Sequence, residues 1–312
     1  MCFAGGIFMK KLLAILLAGM MVLSIAACSI KDKSKENDDD KYRDTTVIVD
    51  YLTEGTDTFY FENVDSETVV ISDFSTTLDK AHEVKLPAYL MVPGNEREQE
   101  PDKYLRVVGV SKEAFLNSSS VSSLVFPTEA DYKEHDANFD MSEHSFVIGD
   151  YAFRECVALQ GLTLPAYVTE IGVGAFYGCI ALESISFAEG SRLAQIKDYA
   201  FMNCVALQSI TFPVAVESIG AAAFFECVAL ESVVINEGTL TVGAQAFQKC
   251  SSLAEVKLPA SLESIGKYAF HTCESLYKEG LTYAGNAAAI NTYISSLALT
   301  ERPEEAPEAP EQ

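Results

Sequence analysis

Apolar and polar positions in the second half of the chain follow a pattern that repeats. An Ala-Phe pair, a Cys three residues later, a Leu three residues after that and then an apolar–polar–apolar alternation recur unit after unit, as in Ile219-Gly220-Ala221-Ala222-Ala223-Phe224-Phe225-Glu226-Cys227-Val228-Ala229-Leu230-Glu231-Ser232-Val233. The repeat phenylalanines are Phe115, Phe153, Phe176, Phe201, Phe224, Phe247 and Phe270, spaced by 38, 23, 25, 23, 23 and 23 residues, which makes seven units. The interval of 25 carries two extra residues in Ala188-Glu189-Gly190-Ser191-Arg192, and the interval of 38 carries fifteen within 128–145. Insertions confined to one edge are what stacked repeats tolerate.

The period-2 endings Leu159-x-x-Leu162-x-Leu164, Leu182-x-x-Ile185-x-Phe187, Leu207-x-x-Ile210-x-Phe212, Leu230-x-x-Val233-x-Ile235 and Leu253-x-x-Val256-x-Leu258 predict strands with one buried face. Equivalent strands of successive units should stack in parallel, and Pro165, Pro213 and Pro259 should end them by removing a ladder donor. A second apolar set, Ile171, Ile196, Ile219, Val242 and Ile265, closes the opposite wall. Gly172, Gly220, Gly243 and Gly266 come directly after, where the backbone is expected either to turn with positive φ or to pack closely. Lys197 and Ser111 occupy the same position in two units, so positive φ is not obligatory there.

Outside the repeats, residues 46–109 read as strands and hairpins (Val47-Ile48-Val49, Phe59-Tyr60-Phe61, Val69-Val70-Ile71, Val84-Lys85-Leu86, Leu105-Arg106-Val107-Val108) and are expected to cap the first unit. The repeat solenoid is expected over 110–283. Ile290, Tyr293, Ile294 and Leu297 fall at i, i+3, i+4 and i+7, which predicts a short capping helix within 284–300. Residues 301–312 form an acidic, Pro-rich tail, and residues 29–45 are a charged stretch without apolar period, expected to be a disordered tether.

The first 28 residues change the picture of where the chain works. Lys10-Lys11 precede an apolar run from Leu12 to Ala27, the pattern of an export signal. The ending Ile25-Ala26-Ala27-Cys28 resembles the lipobox of bacterial lipoproteins, which implies that Cys28 receives a lipid and holds the protein to a membrane. An uncleaved membrane span and a plain secretory signal are the alternatives; the run is short against the ~20 residues a bilayer needs. The formal net charge is −23, and all 45 acidic residues lie after residue 28. Such a chain repels polyanions, so nucleic acid is not an expected partner.

The unit Ile-Gly-x-x-Ala-Phe-x-x-Cys-x-x-Leu-x-x-Ile resembles the leucine-rich repeat of the BspA-like bacterial surface proteins, over about residues 105–283 and with specific motifs in six of the seven units. The first unit has Ser118 where the others have Cys, and the last loses its strand pattern after Leu276. The resemblance implies a right-handed leucine-rich-repeat superhelix with a parallel sheet on one face; with the β-rich N-terminal cap and short C-terminal capping helix read from the residues, the expected fold is an α/β repeat solenoid of mostly β character. It also implies a surface protein that contacts other proteins, adhesion to a host or neighbouring cell included.

Candidate chemistry is sparse. Cys156, Cys179, Cys204, Cys227, Cys250 and Cys273 occupy one equivalent position per unit and should form a ladder of buried free thiols, because parallel side chains on adjacent rungs do not bring Cβ atoms to disulfide distance. A line of such ligands makes no tetrahedral metal site. His82, His135, His144 and His271 pair with no nucleophile motif, no glycine loop cradles phosphate, and neither enzyme activity nor a cofactor is expected. Asp131, Glu134, His135, Asp136, Asp140, Glu143 and His144 crowd the 128–145 insertion; it is read as a solvated acidic loop, with a divalent-cation site as the alternative. Tyr151, Tyr167, Tyr199 and Tyr268 lie off the strand face and are expected to pack as partly buried rings.

The outward strand positions Thr163, Ser184, Ser186, Ser209, Thr211, Ser232, Val234, Glu255 and Lys257 are the ligand-binding candidates, since solenoids bind through their extended sheet face. They are small and mostly polar, without the aromatic and Arg anchors of tight interfaces. A monomeric, lipid-anchored surface protein binding a protein partner is therefore the leading expectation. An envelope scaffold without a specific ligand is the second, and a cation-dependent binding module the third.

Overall fold

A computed structural model describes residues 52–94, 101–276 and 282–283. The expected signal, Cys28, the tether, the capping helix of 284–300 and the acidic tail lie outside the described residues. Within them the chain runs as β1 (Leu52–Glu54), β2 (Asp57–Asn63), β3 (Thr68–Thr76), β4 (His82–Lys85), β5 (Tyr89–Val92), β6 (Lys103–Val110), β7 (Val121–Val125), α1 (Glu129–Lys133), β8 (Phe146–Ile148), β9 (Gly161–Leu164), β10 (Val168–Ile171), β11 (Ser184–Phe187), β12 (Gln195–Ile196), β13 (Ser209–Thr211), β14 (Ser218–Ile219), β15 (Ser232–Val234), β16 (Thr241–Val242), β17 (Glu255–Leu258), β18 (Ser264–Ile265) and β19 (Thr282–Tyr283).

The period-2 segments become one eight-stranded sheet in the order β19-β17-β15-β13-β11-β9-β7-β4, with parallel pairing throughout. The second apolar set does more than close a wall. Its two- to four-residue strands form the parallel run β8-β10-β12-β14-β16-β18, so each complete rung contributes a strand to both faces. This second sheet continues into the N-terminal segment through β6 and β3, and β1-β2-β3 and β5-β6 complete it with antiparallel pairs. An exposed first rung would present open ladder groups, and these hairpins cover it.

No helix joins the sheets on the repeat's return path among the described residues. Consecutive turns do so instead: Ala152 donates its N–H to Gly149, Arg154 to Tyr151 and Cys156 to Phe153 at 3.0–3.3 Å. Two residues per rung have positive φ, as Tyr268 and Thr272 do in the last described rung; in the rungs before it they are Glu113 and Asn117, Tyr151 and Glu155, Gly174 and Gly178, Tyr199 and Asn203, Ala222 and Glu226, Gln245 and Lys249. An L-residue there costs about 1–2 kcal/mol, and the stack supplies the reason it is tolerated. Each of these residues points its N–H along the solenoid axis to the next rung: Tyr151 to the Val173 carbonyl (2.7 Å), Glu155 to Tyr177 (2.7 Å), Ala222 to Ala244 (2.8 Å) and Glu226 to Gln248 (2.9 Å). The intervening phenylalanines donate likewise, Phe224 to Ala246 at 2.7 Å.

The glycines two residues before the first of these positions serve the other expected purpose, close packing. Gly172, Gly220, Gly243 and Gly266 do not have positive φ, and a Cβ on Gly220 would lie 2.4 Å from the Lys197 carbonyl carbon, one on Gly243 2.5 Å from that of Gly220.

Inside the rungs the seven phenylalanines stack face to face. Phe153, Phe176, Phe201, Phe224, Phe247 and Phe270 have successive ring centroids 5.1–5.3 Å apart, with planes within 14°. Phe115 sits 4.7 Å from Phe153, and Phe74 from β3 lies 4.6 Å beyond Phe115, so the N-terminal segment extends the stack by one ring.

Candidate functional site

The register of the eight-stranded sheet aligns its outward side chains in two columns. The first runs Glu83, Ser123, Gly161, Ser184, Ser209, Ser232, Glu255; the second runs Lys85, Val125 and, further along, Thr163, Ser186 in one pairing and Thr211, Val234, Lys257 in another. The alternation that buries Leu162, Ile185, Ile210, Val233 and Val256 puts these residues on the opposite face. Thr163, Ser184, Ser186, Ser209, Thr211, Glu255 and Lys257 are exposed; Ser232 and Val234 are half-buried. All nine candidates thus share one surface. Its charges sit at the two ends, Glu83 with Lys85 and Glu255 with Lys257, and the five strands between present only small polar or aliphatic side chains.

Thr163 Oγ1 and Ser186 Oγ lie 2.9 Å apart and satisfy each other. Ser184, Ser209, Thr211 and Ser232 make no side-chain hydrogen bond to another described residue. Each hydroxyl offers one donor and two acceptor positions, so this part of the face can hydrogen-bond a polar ligand without first breaking contacts of its own.

The insertion keeps Asp131, Glu134, Asp140 and Glu143 exposed, as expected of an acidic loop, but it is more ordered than that expectation. Thr128 opens α1 with a capping box in which its hydroxyl accepts from the Asp131 N–H, while Asp131 takes the Thr128 N–H at 2.6 Å. Asp140 accepts from the Ser142 N–H (2.8 Å) and hydroxyl (2.7 Å), which holds its carboxyl below the usual carboxylate range. These two carboxylates are spent on local turns. No three His, Cys, Asp or Glu side chains gather into a metal-binding group among the described residues.

The centre of the insertion is aromatic instead. Tyr132 is fully buried, stacks on Phe139 at 4.5 Å and meets His144 Nε2 through its hydroxyl at 3.0 Å. Tyr89 donates its hydroxyl to the Tyr132 carbonyl (2.9 Å), and Tyr167 donates to the Pro127 carbonyl (2.7 Å). Arg192, from the two-residue loop insertion, crosses over to donate to the carbonyls of Met141, Ser142 and His144. The two insertions therefore pack on each other. Burial, followed by the Arg106 and Arg192 charges, pulls the His144 imidazole down to about 4. Tyr132 and Phe139 were legible as residues, but the density of carboxylates around them hid that they form a core.

The six repeat cysteines are free and buried, as their equivalent spacing predicts. Each thiol donates to the carbonyl of the phenylalanine one rung back, for example Cys227 to Phe201 and Cys250 to Phe224, both at 3.2 Å. Desolvation pushes the thiols of Cys156, Cys227 and Cys273 up to about 12, which keeps them protonated at neutral pH. Of the four tyrosines set off the strand face, Tyr167 is buried; Tyr151, Tyr199 and Tyr268 are half-buried on the turn edge, where Tyr199 joins Tyr177 around Met202, Ala222 and Phe225.

The sequence matches the family described as BspA type leucine rich repeat region, in six copies, over residues 146–277 and 194–302, together half of the chain. No match occurs among curated proteins. Among solved structures, a leucine-rich-repeat protein of T. pallidum is 26% identical with a TM-score of 0.54, covering 74% of this chain and 97% of its own. The pneumococcal vaccine antigen PcpA is 17% identical (TM-score 0.44; 74% and 69% covered), and a leucine-rich cell surface protein of Faecalibacterium prausnitzii 16% (TM-score 0.25; 77% and 96% covered). With two parallel sheets, a continuous phenylalanine stack and a cysteine ladder built from the repeat that the family profile recognises, the chain belongs to the BspA-type leucine-rich-repeat proteins.

Proposed function

We propose that the protein is an exported, lipid-anchored cell-surface solenoid that binds a protein partner on the open face of its eight-stranded sheet, adhesion to a host or neighbouring cell being the setting of that contact. The observation that carries the binding surface is the set of exposed, unengaged hydroxyls of Ser184, Ser209 and Thr211, aligned at rung spacing on a face that is uncharged between its ends. Membership of a repeat family that presents extended sheet surfaces supports the same reading. The anchor rests on Ile25-Ala26-Ala27-Cys28 and the apolar run before it.

Two measurements test the two halves. Cys28→Ser should move the protein from the membrane fraction to the soluble fraction; retention on the membrane sinks the anchor. Labelled full-length protein should bind intact cells saturably, and Ser184→Arg with Ser209→Arg should abolish that binding while leaving the thermal transition in place. A second reading, a spacer that carries no ligand, is favoured by the lack of aromatic or Arg side chains on the nine candidate positions. It predicts binding that is weak, unsaturable and indifferent to the Arg pair.

A further inference from the structure

The edge where the turns meet the eight-stranded sheet carries a contrast between rungs that the fold does not require. Directly after the repeat cysteine, four consecutive rungs have Val157-Ala158, Ile180-Ala181, Val205-Ala206 and Val228-Ala229. The rungs on either side have Ser119-Ser120 and Ser251-Ser252 in the same place, so packing accepts a hydroxyl there. Val157, Ile180, Val205 and Val228 remain 40%, 49%, 37% and 40% exposed. Inter-rung bonds, Ala229 N–H to the Val205 carbonyl (3.3 Å) and Ser252 N–H to Val228 (3.2 Å), tie the rungs together at this corner. The result is an apolar stripe, one branched side chain per rung, with a half-buried alanine beside each.

Carboxylates flank the stripe on both sides. Glu155, paired with Arg154 at 3.4 Å, and Glu226 precede it, while the exposed Glu183 and Glu231 follow it toward the sheet and Glu274 stands beyond its end. There the surface opens into a depression of about 300 Å³ bordered by Val205, Val228, Glu226 and Glu274. Lys249 covers one wall, held at 2.6 Å from Glu226 and over the Phe225 ring. The spacing of the stripe is the informative quantity. At the phenylalanine stack, four residues before the stripe, the rungs repeat every 5.1–5.3 Å, and an α-helix repeats every ~5.4 Å. A helix laid along the solenoid axis with one apolar residue per turn meets each rung in register across all four. An extended strand, whose same-face side chains recur every ~6.8 Å, does not.

We infer that Val157, Ile180, Val205 and Val228 form a docking track for a helical segment of a partner protein, apolar once per turn and basic on its flanks. The apolar line supplies the buried contact, and the carboxylates of Glu183, Glu231 and Glu274 select the Lys- or Arg-rich partner and speed its approach. This surface is separate from the hydroxyl face of the sheet and stands or falls independently of it.

The test uses the full-length chain and a fluorescein-labelled synthetic helix of about four turns, with Leu once per turn and Lys at the neighbouring positions. A scrambled peptide of the same composition is the control. Anisotropy should report saturable binding of the patterned peptide and at least about ten-fold weaker binding of the scrambled one. Replacing Val157, Ile180, Val205 and Val228 by Ser, the residue the neighbouring rungs already carry, should weaken binding by at least about ten-fold with the thermal transition retained. Should that fourfold variant fold poorly, Glu183→Lys with Glu231→Lys, both exposed, should weaken binding and flatten its salt dependence. Equal binding of both peptides, or undiminished binding by whichever variant is folded, overturns the proposal. So does sedimentation of the wild type as a dimer that the Ser substitutions dissociate, since the track would then be occupied by a second copy.

Discussion

Gly220 and Gln245 illustrate how differently two backbone positions of one repeat are constrained. Gly220 has ordinary φ but no room: an added Cβ would sit 2.4 Å from both the Lys197 carbonyl carbon and the Asp198 nitrogen. Gly220→Ala should therefore destabilise by about 1–3 kcal/mol, the usual cost of overpacking against atoms that cannot move. Gln245 has room but a φ of 59°, and Gln245→Gly should stabilise by up to about 1 kcal/mol. Denaturant midpoints of the two variants check the opposite signs. The cysteines are a third case. The thiols of Cys156, Cys179, Cys204, Cys227, Cys250 and Cys273 should resist an aromatic disulfide reagent at pH 8 in the native state and react together once the stack unfolds, because burial raises all six. Reaction of any of the six in the folded chain would contradict the closed corner described here.

The insertion between β7 and β8 behaves as an element with its own core, and His144 is its sensitive member. Neutral imidazole accepts or donates one hydrogen bond with Tyr132 and packs at tilted or edge-on angles among Tyr132, Phe139 and Tyr167, with Arg106 and Arg192 nearby. Its folded value of about 4 lies below the ordinary 6.5, so the unfolded segment binds the proton first. The contribution of neutral His144 is complete above pH 6.5 and is lost as pH falls toward 4, up to roughly 3 kcal/mol at 1.36 kcal/mol per unit. His144→Phe keeps a ring in place and removes the titration. The difference in melting temperature between wild type and variant should therefore shrink or reverse between pH 6.5 and 4; a constant difference would mean that His144 does not carry the effect. Phe74 makes the same point for the N-terminal strands: in the sequence it stands alone between Asp73 and Ser75, yet it ends a ring stack that starts 196 residues later at Phe270.

Among the described residues the fold is close to one-dimensional, because the backbone ladders join each rung to its immediate neighbours and few side chains, Arg192 among them, reach across two. Stability is then a sum of rung and interface contributions. Deleting residues 204–226 joins Asn203 to Cys227, two equivalent boundaries 23 residues apart, and should leave a shorter stack that still unfolds cooperatively at a lower temperature. Deleting one residue fewer leaves an extra residue in the Phe-to-Cys turn, whose N–H groups are matched to carbonyls of the next rung, and should lower the melting temperature further than the 23-residue deletion does. Circular dichroism melts of the two deletions distinguish these outcomes. The same one-dimensional order is what lines up surface residues that are 23 or 25 apart in sequence, in the hydroxyl columns and in the apolar stripe alike.

Periodicity along the chain carried the phase of the units, the buried alternation of the strands and the unbridged cysteines, because each of these follows from which residues recur and at what interval, and the recurring motif carried the resemblance to the family. The second sheet, the packing role of the repeat glycines, the aromatic core under the carboxylates of the insertion and the exposure of Val157, Ile180, Val205 and Val228 depend instead on how one rung lies on the next. The contrast between Val-Ala and Ser-Ser after the cysteine is plain in the sequence, but whether that corner faces solvent is settled only by inter-rung contacts. Local pattern selects the conformation of a unit. Long-range stacking selects which of its surfaces remain open, and it is on those surfaces that any partner must be recognised.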